Sequence, residues 1–218
     1  MGLVGEADGM TRTTPFDTKV DRYEQWFETH PAAYRSEVAA LKRVCPPVDA
    51  GLAVGVGTGR FAAPLGIDRG VDPSRPMLRR AYRRGIEPIQ GVGEALPVAD
   101  SAVDVALLVT SICFLDDRSA AFEELRRVLM PESALLIGFV DAESPLGQRY
   151  QRETDNPFYQ DAEFVTTTTL IEELQTAGFT VDATVQTLFE PPTALDSPDR
   201  VEDGHGEGSF VVLRARPD

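Results

Sequence analysis

Between residues 51 and 140, five short apolar runs alternate with stretches of helical periodicity, and this alternation restricts the chain more than any other feature. The runs are GLAVGVG from Gly51, GVD ending at Asp72, EPIQG from Glu87, VDVALLVT from Val103 and SALLIGFV from Ser133. VDVALLVT is almost continuously apolar, as a strand covered on both faces requires. Between the runs, TGRFAAPLG opens as a helix and PSRPMLRRAYRRG reads as a helix ended by Gly85. DDRSAAFEELRRVLM is amphipathic, with Asp116 or Asp117 at its N-cap and Arg126 and Arg127 near its C-terminus, where the helix dipole favours cations. Strand, helix and strand in this order predict a parallel sheet with helices on both faces.

The flanks depart from the pattern. From Phe16 to Val44, apolar side chains including Tyr23, Trp26, Phe27, Tyr34, Val38 and Leu41 recur at helical spacing, and Pro31 divides the stretch into two helices. Residues 142–166 are polar and aromatic. TTTTLIEELQTAGF then forms a capped helix stopping at Gly178, and TVDATVQTLF and GSFVVLRAR are two alternating strands separated by a loop rich in Pro, Gly and Asp. Two strands joined without a helix pair antiparallel most simply. The expected architecture is therefore α/β, a doubly wound seven-stranded sheet, mostly parallel with one antiparallel edge strand, and an N-terminal helical cap. Residues 1–218 read as a single domain: a loose segment at 1–15, the cap at 16–48, the α/β core at 50–141, an insertion at 142–166, and a closing helix and strand pair at 167–218.

Composition narrows the function classes. Lys plus Arg is 21 against 35 Asp plus Glu, a net charge of −14, with Lys19 and Lys42 the only lysines. Nucleic-acid phosphate is a poor partner for such a surface, and an acidic, arginine-retaining composition suits a salty cytoplasm. Cys45 and Cys113 form no CxxC and no cluster with His30 or His205, so neither metal binding nor a disulfide framework is expected. No run approaches the roughly 20 apolar residues of a membrane span. The start of the chain has neither the basic nor the apolar region of a signal peptide. These features read as a cytoplasmic protein, monomer or homodimer, that binds neither membrane nor nucleic acid.

In AVGVGTGRFA, Gly55, Gly57 and Gly59 stand at a strand-to-helix turn, where missing side chains let a ligand approach the backbone. A dinucleotide fingerprint would place glycine where Arg60 stands. Asp72 ends the second strand, where a carboxylate can accept both hydroxyls of a ribose. With GVGEALPVADSAVDVALLVTSICFLDD and EELRRVLMPESALLIGFVD following in order, the chain resembles the class I S-adenosylmethionine-dependent methyltransferases, of the type grouped with small-molecule enzymes, over about residues 50–141.

The resemblance implies a Rossmann-like methyltransferase fold, S-adenosylmethionine as cosubstrate and S-adenosylhomocysteine as product. It implies that Gly55, Val56, Gly57, Thr58, Gly59 and Arg60 surround the methionine moiety, and that Asp72 and Pro73 meet the ribose. Gly93, Glu94, Ala95 and Leu96 would flank the adenine, while Thr110, Ser111 and Ile112 would lie near the sulfonium and the acceptor. Two positions depart from the family pattern. Ala53 stands where an acid usually precedes the first glycine by two residues, and Pro131, Glu132 and Ser133 replace a glycine-rich turn.

The cap and the 142–166 insertion would build the acceptor site, with Tyr23, Trp26, Phe27, His30 and Tyr34 on one side and Phe114, Tyr150, Phe158 and Tyr159 on the other. Any one of these aromatics can equally be core packing. TSICF at the end of the fourth strand is not the Asn/Asp-Pro-Pro-aromatic motif of nucleobase or glutamine methylation, so a small-molecule acceptor is expected. No catalytic base stands out; methyl transfer needs chiefly alignment and exclusion of water. Cys113, at an apolar strand end, reads as inert. A non-catalytic module that binds S-adenosylmethionine or S-adenosylhomocysteine is the alternative, and an NAD-linked dehydrogenase is disfavoured by Arg60.

Overall fold

A computed structural model describes residues 14–218. Residues 1–13 of the segment expected to be loose lie outside the described residues, whereas Thr14 and Pro15 belong to a short helix, α1 (Thr14–Thr18). Helices α2 (Val20–Thr29) and α3 (Pro31–Val44) follow, divided as expected where Pro31 takes the first helical position.

The sheet contains β1 (Gly51–Val54), β2 (Arg69–Asp72), β3 (Glu87–Gln90), β4 (Val103–Val109), β5 (Leu129–Val140), β6 (Phe179–Thr187), β7 (Glu202–Asp203) and β8 (Phe210–Pro217). Their spatial order is β3-β2-β1-β4-β5-β8-β6-β7. The first five strands are mutually parallel. β8 runs antiparallel to both β5 and β6. Two details correct the expectation. The sheet has eight strands, because two residues of the Pro/Gly/Asp-rich loop pair with β6 as β7. The antiparallel β8 also lies inside the sheet and not at its edge.

Strand order reverses between β1 and β4, and such a switch point opens a crevice at the carboxyl ends of the strands. Val54, Asp72 and Val109 mark that rim. Both faces of the sheet are covered, which explains the unbroken apolar run of β4. Leu52, Ala106, Leu108 and Leu135 pack with Phe122 and Leu125 of α5 (Arg118–Val128) and with Leu170 and Leu174 of α7 (Thr167–Thr176). Ala53, Val105, Leu107 and Leu136 on the opposite face pack with Phe27 of α2 and Ala40 and Leu41 of α3. The cap is thus one of the two covering layers.

The helix expected after the glycine turn does not form. Its place is taken by turns and one 3-10 turn, Ala63–Leu65, closed by Gly66 at φ +77°. Pro64 lacks the amide that would continue a ladder, and the left-handed glycine two residues later ends the turn. α4 (Arg75–Arg83) is capped by Ser74, whose hydroxyl accepts from the Met77 amide, and Gly85 follows at φ +84°. The 142–166 stretch contains a helix the periodicity missed, α6 (Pro145–Arg152), started by the Ser144 cap and Pro145 at its first position. Asp141 anchors this region: its Oδ2 accepts from the amide and hydroxyl of Thr167 at 2.7 and 2.6 Å, and its Oδ1 accepts from the Glu143 amide at 2.7 Å.

The glycine-poor stretch at 131–133 falls inside β5, where Glu132 is exposed and takes φ +63°. A side chain in this left-handed region costs about 1–2 kcal/mol, partly offset by the chain entropy glycine would lose. Glu132→Gly is therefore expected to stabilise the protein by about 1 kcal/mol, seen as a rise in melting temperature with cosubstrate binding unchanged.

Candidate functional site

Above the switch point, the cap, the strand ends and the α6 region enclose a cavity of about 500 Å³. Asp72 lies in its wall and is 7% exposed. Its Oδ2 accepts from the Gly57 amide at 2.8 Å and its Oδ1 from the Ser74 amide at 2.9 Å, tying the glycine turn to the start of α4. Burial, with repulsion from Asp17 of α1, pushes this carboxyl up to about 6 against the two amide bonds.

Gly55 and Gly57 face the cavity at φ +67° and +54°. A Cβ on Gly55 would come within 2.4 Å of Ser111 Cβ, and one on Gly57 within 3.5 Å of the Tyr23 hydroxyl. Gly59 has a different reason for lacking a side chain, since a Cβ there would press on Ile86 and Ala81 at the end of α4. The other members of the turn also face away from the cavity. Val56 packs onto Gly70 of β2, and Thr58 is buried with its carbonyl accepting from Arg84 at 2.7 Å.

Arg60 is likewise not on the cavity wall. Its Nε and Nη2 donate to the Glu24 carboxylate of α2 at 3.1 and 2.7 Å, and its guanidinium lies 4.9 Å from the Phe27 ring centre. Arg84 reaches the same Glu24 Oε2 at 2.5 Å, and the Tyr34 hydroxyl donates to the Arg60 carbonyl at 2.7 Å. Burial of Glu24 is outweighed by these bonds, which hold its carboxyl below the usual range. The cluster clamps the cap onto the glycine turn. Glu24→Ala would leave two half-buried guanidiniums unpaired, and a loss of about 2 kcal/mol in urea unfolding is expected.

On the far side of the crevice, a Cβ on Gly93 would lie 2.9 Å from a Leu115 methyl and 3.3 Å from Val54, so a side chain there would displace the end of Leu115. Glu94 lines the cavity, and its Oε1 accepts from the amides of Asp116 and Asp117 at 2.8 and 3.3 Å, anchoring the loop before α5. Ala95 and Leu96 stand off the cavity wall. Ala95 closes a small bridge with Val92, and Leu96 is buried in the core, its amide held by Glu124 at 2.7 Å.

Thr110 follows β4 at φ +53°, an unusual conformation for a β-branched residue, with its amide bonded to the Gly138 carbonyl and its hydroxyl to that of Val109. The Ser111 hydroxyl donates to the Val54 carbonyl at 3.0 Å, joining β4 to β1 across the switch point. Thr110, Ser111, Ile112 and Pro73 all line the cavity. The half-buried Cys113 also lines it, its thiol 3.5 Å from the Thr110 carbonyl.

Of the aromatic candidates, Tyr23, Trp26, Phe27, Phe114, Tyr150, Phe158 and Tyr159 line the cavity. Tyr150 and Tyr159 stack with ring centres 4.2 Å apart. His30 and Tyr34 do not line it. His30 lies at the α2–α3 junction with its Nδ1 3.0 Å from the Trp26 carbonyl, and Tyr34 belongs to the cap clamp. Sequence reasoning missed Phe16, Phe164 and Glu37. Phe16 packs between Phe114 and Phe158 at 5.0 and 5.4 Å. Glu37 of α3 is 4% exposed and faces the cavity. An acid on the apolar face of the cap helix, one turn before Leu41, was the available signal.

Among the described residues no three His, Cys, Asp or Glu side chains cluster as a metal site, and no helix is long and apolar enough to cross a membrane. The glycine turn, with Cβ-free positions at the cavity, and the buried Asp72 carboxylate beside it fit an adenosyl cosubstrate bearing a methionine moiety.

Residues 52–137 match a family described as a methyltransferase domain. The chain is 42% identical to a protein of Thermotoga maritima described as an S-adenosylmethionine-dependent methyltransferase, possible histamine N-methyltransferase. That structure superposes with a TM-score of 0.92 over 95% of this chain and 100% of that one. An uncharacterised protein of Methanocaldococcus jannaschii is 39% identical over 92% of this chain and 97% of its own length. One from Mycobacterium tuberculosis is 38% identical over 88% of this chain and 70% of its own.

Proposed function

The chain belongs to the S-adenosylmethionine-dependent methyltransferases, and from that premise we propose that it methylates a small molecule enclosed between the helical cap and the carboxyl ends of β1, β4 and β5. The observation that carries this reading is that the glycine turn and Asp72 share one cavity with the aromatic side chains of α2 and of the α6 region. S-adenosylmethionine supplies an activated methyl group that passes in line to a nucleophile.

The chain's own residues bind, orient and exclude water. Gly55 and Gly57 give the methionine moiety access to the backbone, and Asp72 accepts from the ribose hydroxyls. Gly93 and Glu94 border the adenine, and Thr110 to Ile112 form the floor where acceptor and methyl meet. Alignment in such a largely apolar cavity can supply about 7–11 kcal/mol of the barrier. The aromatic walls provide the enclosure, with Trp26, Phe27 and Tyr23 from the cap facing Tyr150, Phe158 and Tyr159.

Several features support the wider reading of one domain working in the cytoplasm on a metabolite, as monomer or homodimer. The net charge of −14 disfavours a nucleic-acid acceptor, and both cysteines are free thiols. The test is to incubate the protein with methyl-labelled S-adenosylmethionine and a deproteinised metabolite extract. Label should appear in a dialysable product. Label retained only in protein or RNA added to the same reaction would overturn the small-molecule reading.

A further inference from the structure

Glu37 belongs to none of the roles assigned above. It projects from α3 into the cavity wall, and its Oε2 is enclosed without a hydrogen-bond partner among the described residues. Burial alone pushes its carboxyl up to about 8, with no basic side chain offsetting the loss of water. Arg60 and Arg84 bind Glu24, and Arg149 binds Glu153 at 2.8 Å. Arg22 lines the cavity, 6.0 Å from the Phe158 ring centre, and makes no ion pair with Glu37. A buried carboxylate without a partner is costly to a fold, and a ligand bringing positive charge and N–H donors removes that cost. With its carboxyl raised to about 8, Glu37 holds its proton at neutral pH in the empty cavity; a cation draws it to the carboxylate, whereas a neutral hydroxyl leaves it the uncharged acid.

The surroundings of Glu37 suit the same ligand. Leu41, one turn further along the same face of α3, touches Gly138 of β5, so Glu37 lies over the carboxyl end of that strand. From there its charge reaches the phenols of Tyr23 on α2, Tyr150 on α6 and Tyr159 beyond it. Burial holds all three phenols neutral. Aromatic faces around an acid attract a cation through their ring quadrupoles while excluding water.

Resting on the methyltransferase reading above, we propose that the acceptor is a primary or secondary amine, held as its cation by Glu37 inside this ring of aromatics, and that the reaction is N-methylation. The Glu37 carboxylate takes a proton from the ammonium; the N–H bond breaks and its electron pair stays on nitrogen. The N–C bond forms with that pair as the bond from methyl to sulfur breaks, its electrons leaving with the sulfur as the neutral thioether. The methylated nitrogen then carries the positive charge, and the proton remains on Glu37 until the product departs.

Titration calorimetry tests this with wild-type protein and Glu37→Gln, which preserves shape and whose folding is checked by its melting curve. S-adenosylhomocysteine is titrated first. The resulting complexes are then titrated with benzylamine and 2-phenylethylamine and with their neutral counterparts, benzyl alcohol and 2-phenylethanol. S-adenosylhomocysteine affinity should agree within about threefold between the two proteins. The amines should bind the wild-type complex at least about tenfold tighter than the alcohols, and the variant should lose that preference; about tenfold corresponds to about 1.4 kcal/mol. Equal binding of amines and alcohols to the wild type would overturn the proposal. So would a tenfold loss of S-adenosylhomocysteine affinity in the variant, which would assign Glu37 to the cosubstrate. Failure of the wild type to bind S-adenosylhomocysteine would sink the methyl-transfer reading first, and this proposal with it.

Discussion

Replacing Asp72 by alanine is expected to weaken S-adenosylhomocysteine binding by roughly 100- to 1000-fold, about 3–4 kcal/mol, in titration calorimetry at neutral pH. Two losses combine in this variant. The amides of Gly57 and Ser74 lose the acceptor that holds the glycine turn against the start of α4, and the ribose loses a charged partner in a buried wall. Asp72→Asn keeps one carbonyl acceptor and presents one amide donor, so it should fall between wild type and alanine. The carboxyl titrates at about 6. Ligand affinity of the wild type should therefore weaken as pH falls through 6, because the proton occupies an oxygen that would otherwise accept. An affinity unchanged in Asp72→Ala would remove this residue from the cosubstrate site.

Glu37 makes the second large effect a matter of stability. Its carboxyl rises from 4.5 in the open chain to about 8 in the fold. Below 4.5 both states hold the proton and its contribution is fully present. Between about 4.5 and 8 the unfolded chain releases the proton while the folded protein keeps it, so stability falls as pH rises; above about 8 the loss is complete. The loss attributable to this group is roughly 3–5 kcal/mol. The groups facing it are the phenols of Tyr23, Tyr34, Tyr150 and Tyr159, each raised by burial and uncharged over this range. Urea melts at pH 5 and pH 8.5 should therefore show Glu37→Gln close to wild type at the lower pH and markedly more stable at the higher. Asp72 adds a smaller loss of the same sign over a narrower window, from its ordinary range up to about 6. Parallel stability curves for the two proteins would show that the Glu37 carboxylate has a partner after all.

The residues that could be read from the sequence were those whose role is local. A parallel strand buried on both faces must be apolar throughout, so β4 declared itself, and a glycine turn before an acid at a strand end pointed to the cavity that Gly55, Gly57 and Asp72 line. Pro31 marked its helix boundary because proline's geometry does not depend on distant parts of the chain. What depends on tertiary contacts was hidden. Arg60 follows the glycine turn closely enough to read as a ligand contact, but its direction is set by Glu24, 36 positions earlier. Leu96 looked like part of an adenine loop and is core, because Glu124 pulls its amide inward. The helix after Gly59 failed on the combination of Pro64 and Gly66, and α6 escaped notice because eight residues carry too few turns to show a period. Glu37 was missed because an acid among apolar helix positions looks like an ordinary exposed residue until a cavity is known to lie over it.

The position of β8 bears on how the molecule is made. β5 must wait for a strand encoded some seventy residues later before its outer edge is paired, and β6 has no neighbour towards the centre of the sheet until the same strand arrives. During vectorial synthesis the five parallel strands can assemble first, while the remainder exposes unsatisfied edges to any other nascent chain. α3 rests partly on β6 and β8, so the cap that carries Glu37 and Tyr34 cannot settle until then. The side of the cavity built by the glycine turn and Asp72 can therefore form early, and the side covered by the cap is among the last parts to become fixed. A nascent polypeptide arrested before β8 should be recognised by chaperones as an open sheet, even with its glycine turn and Asp72 already in place.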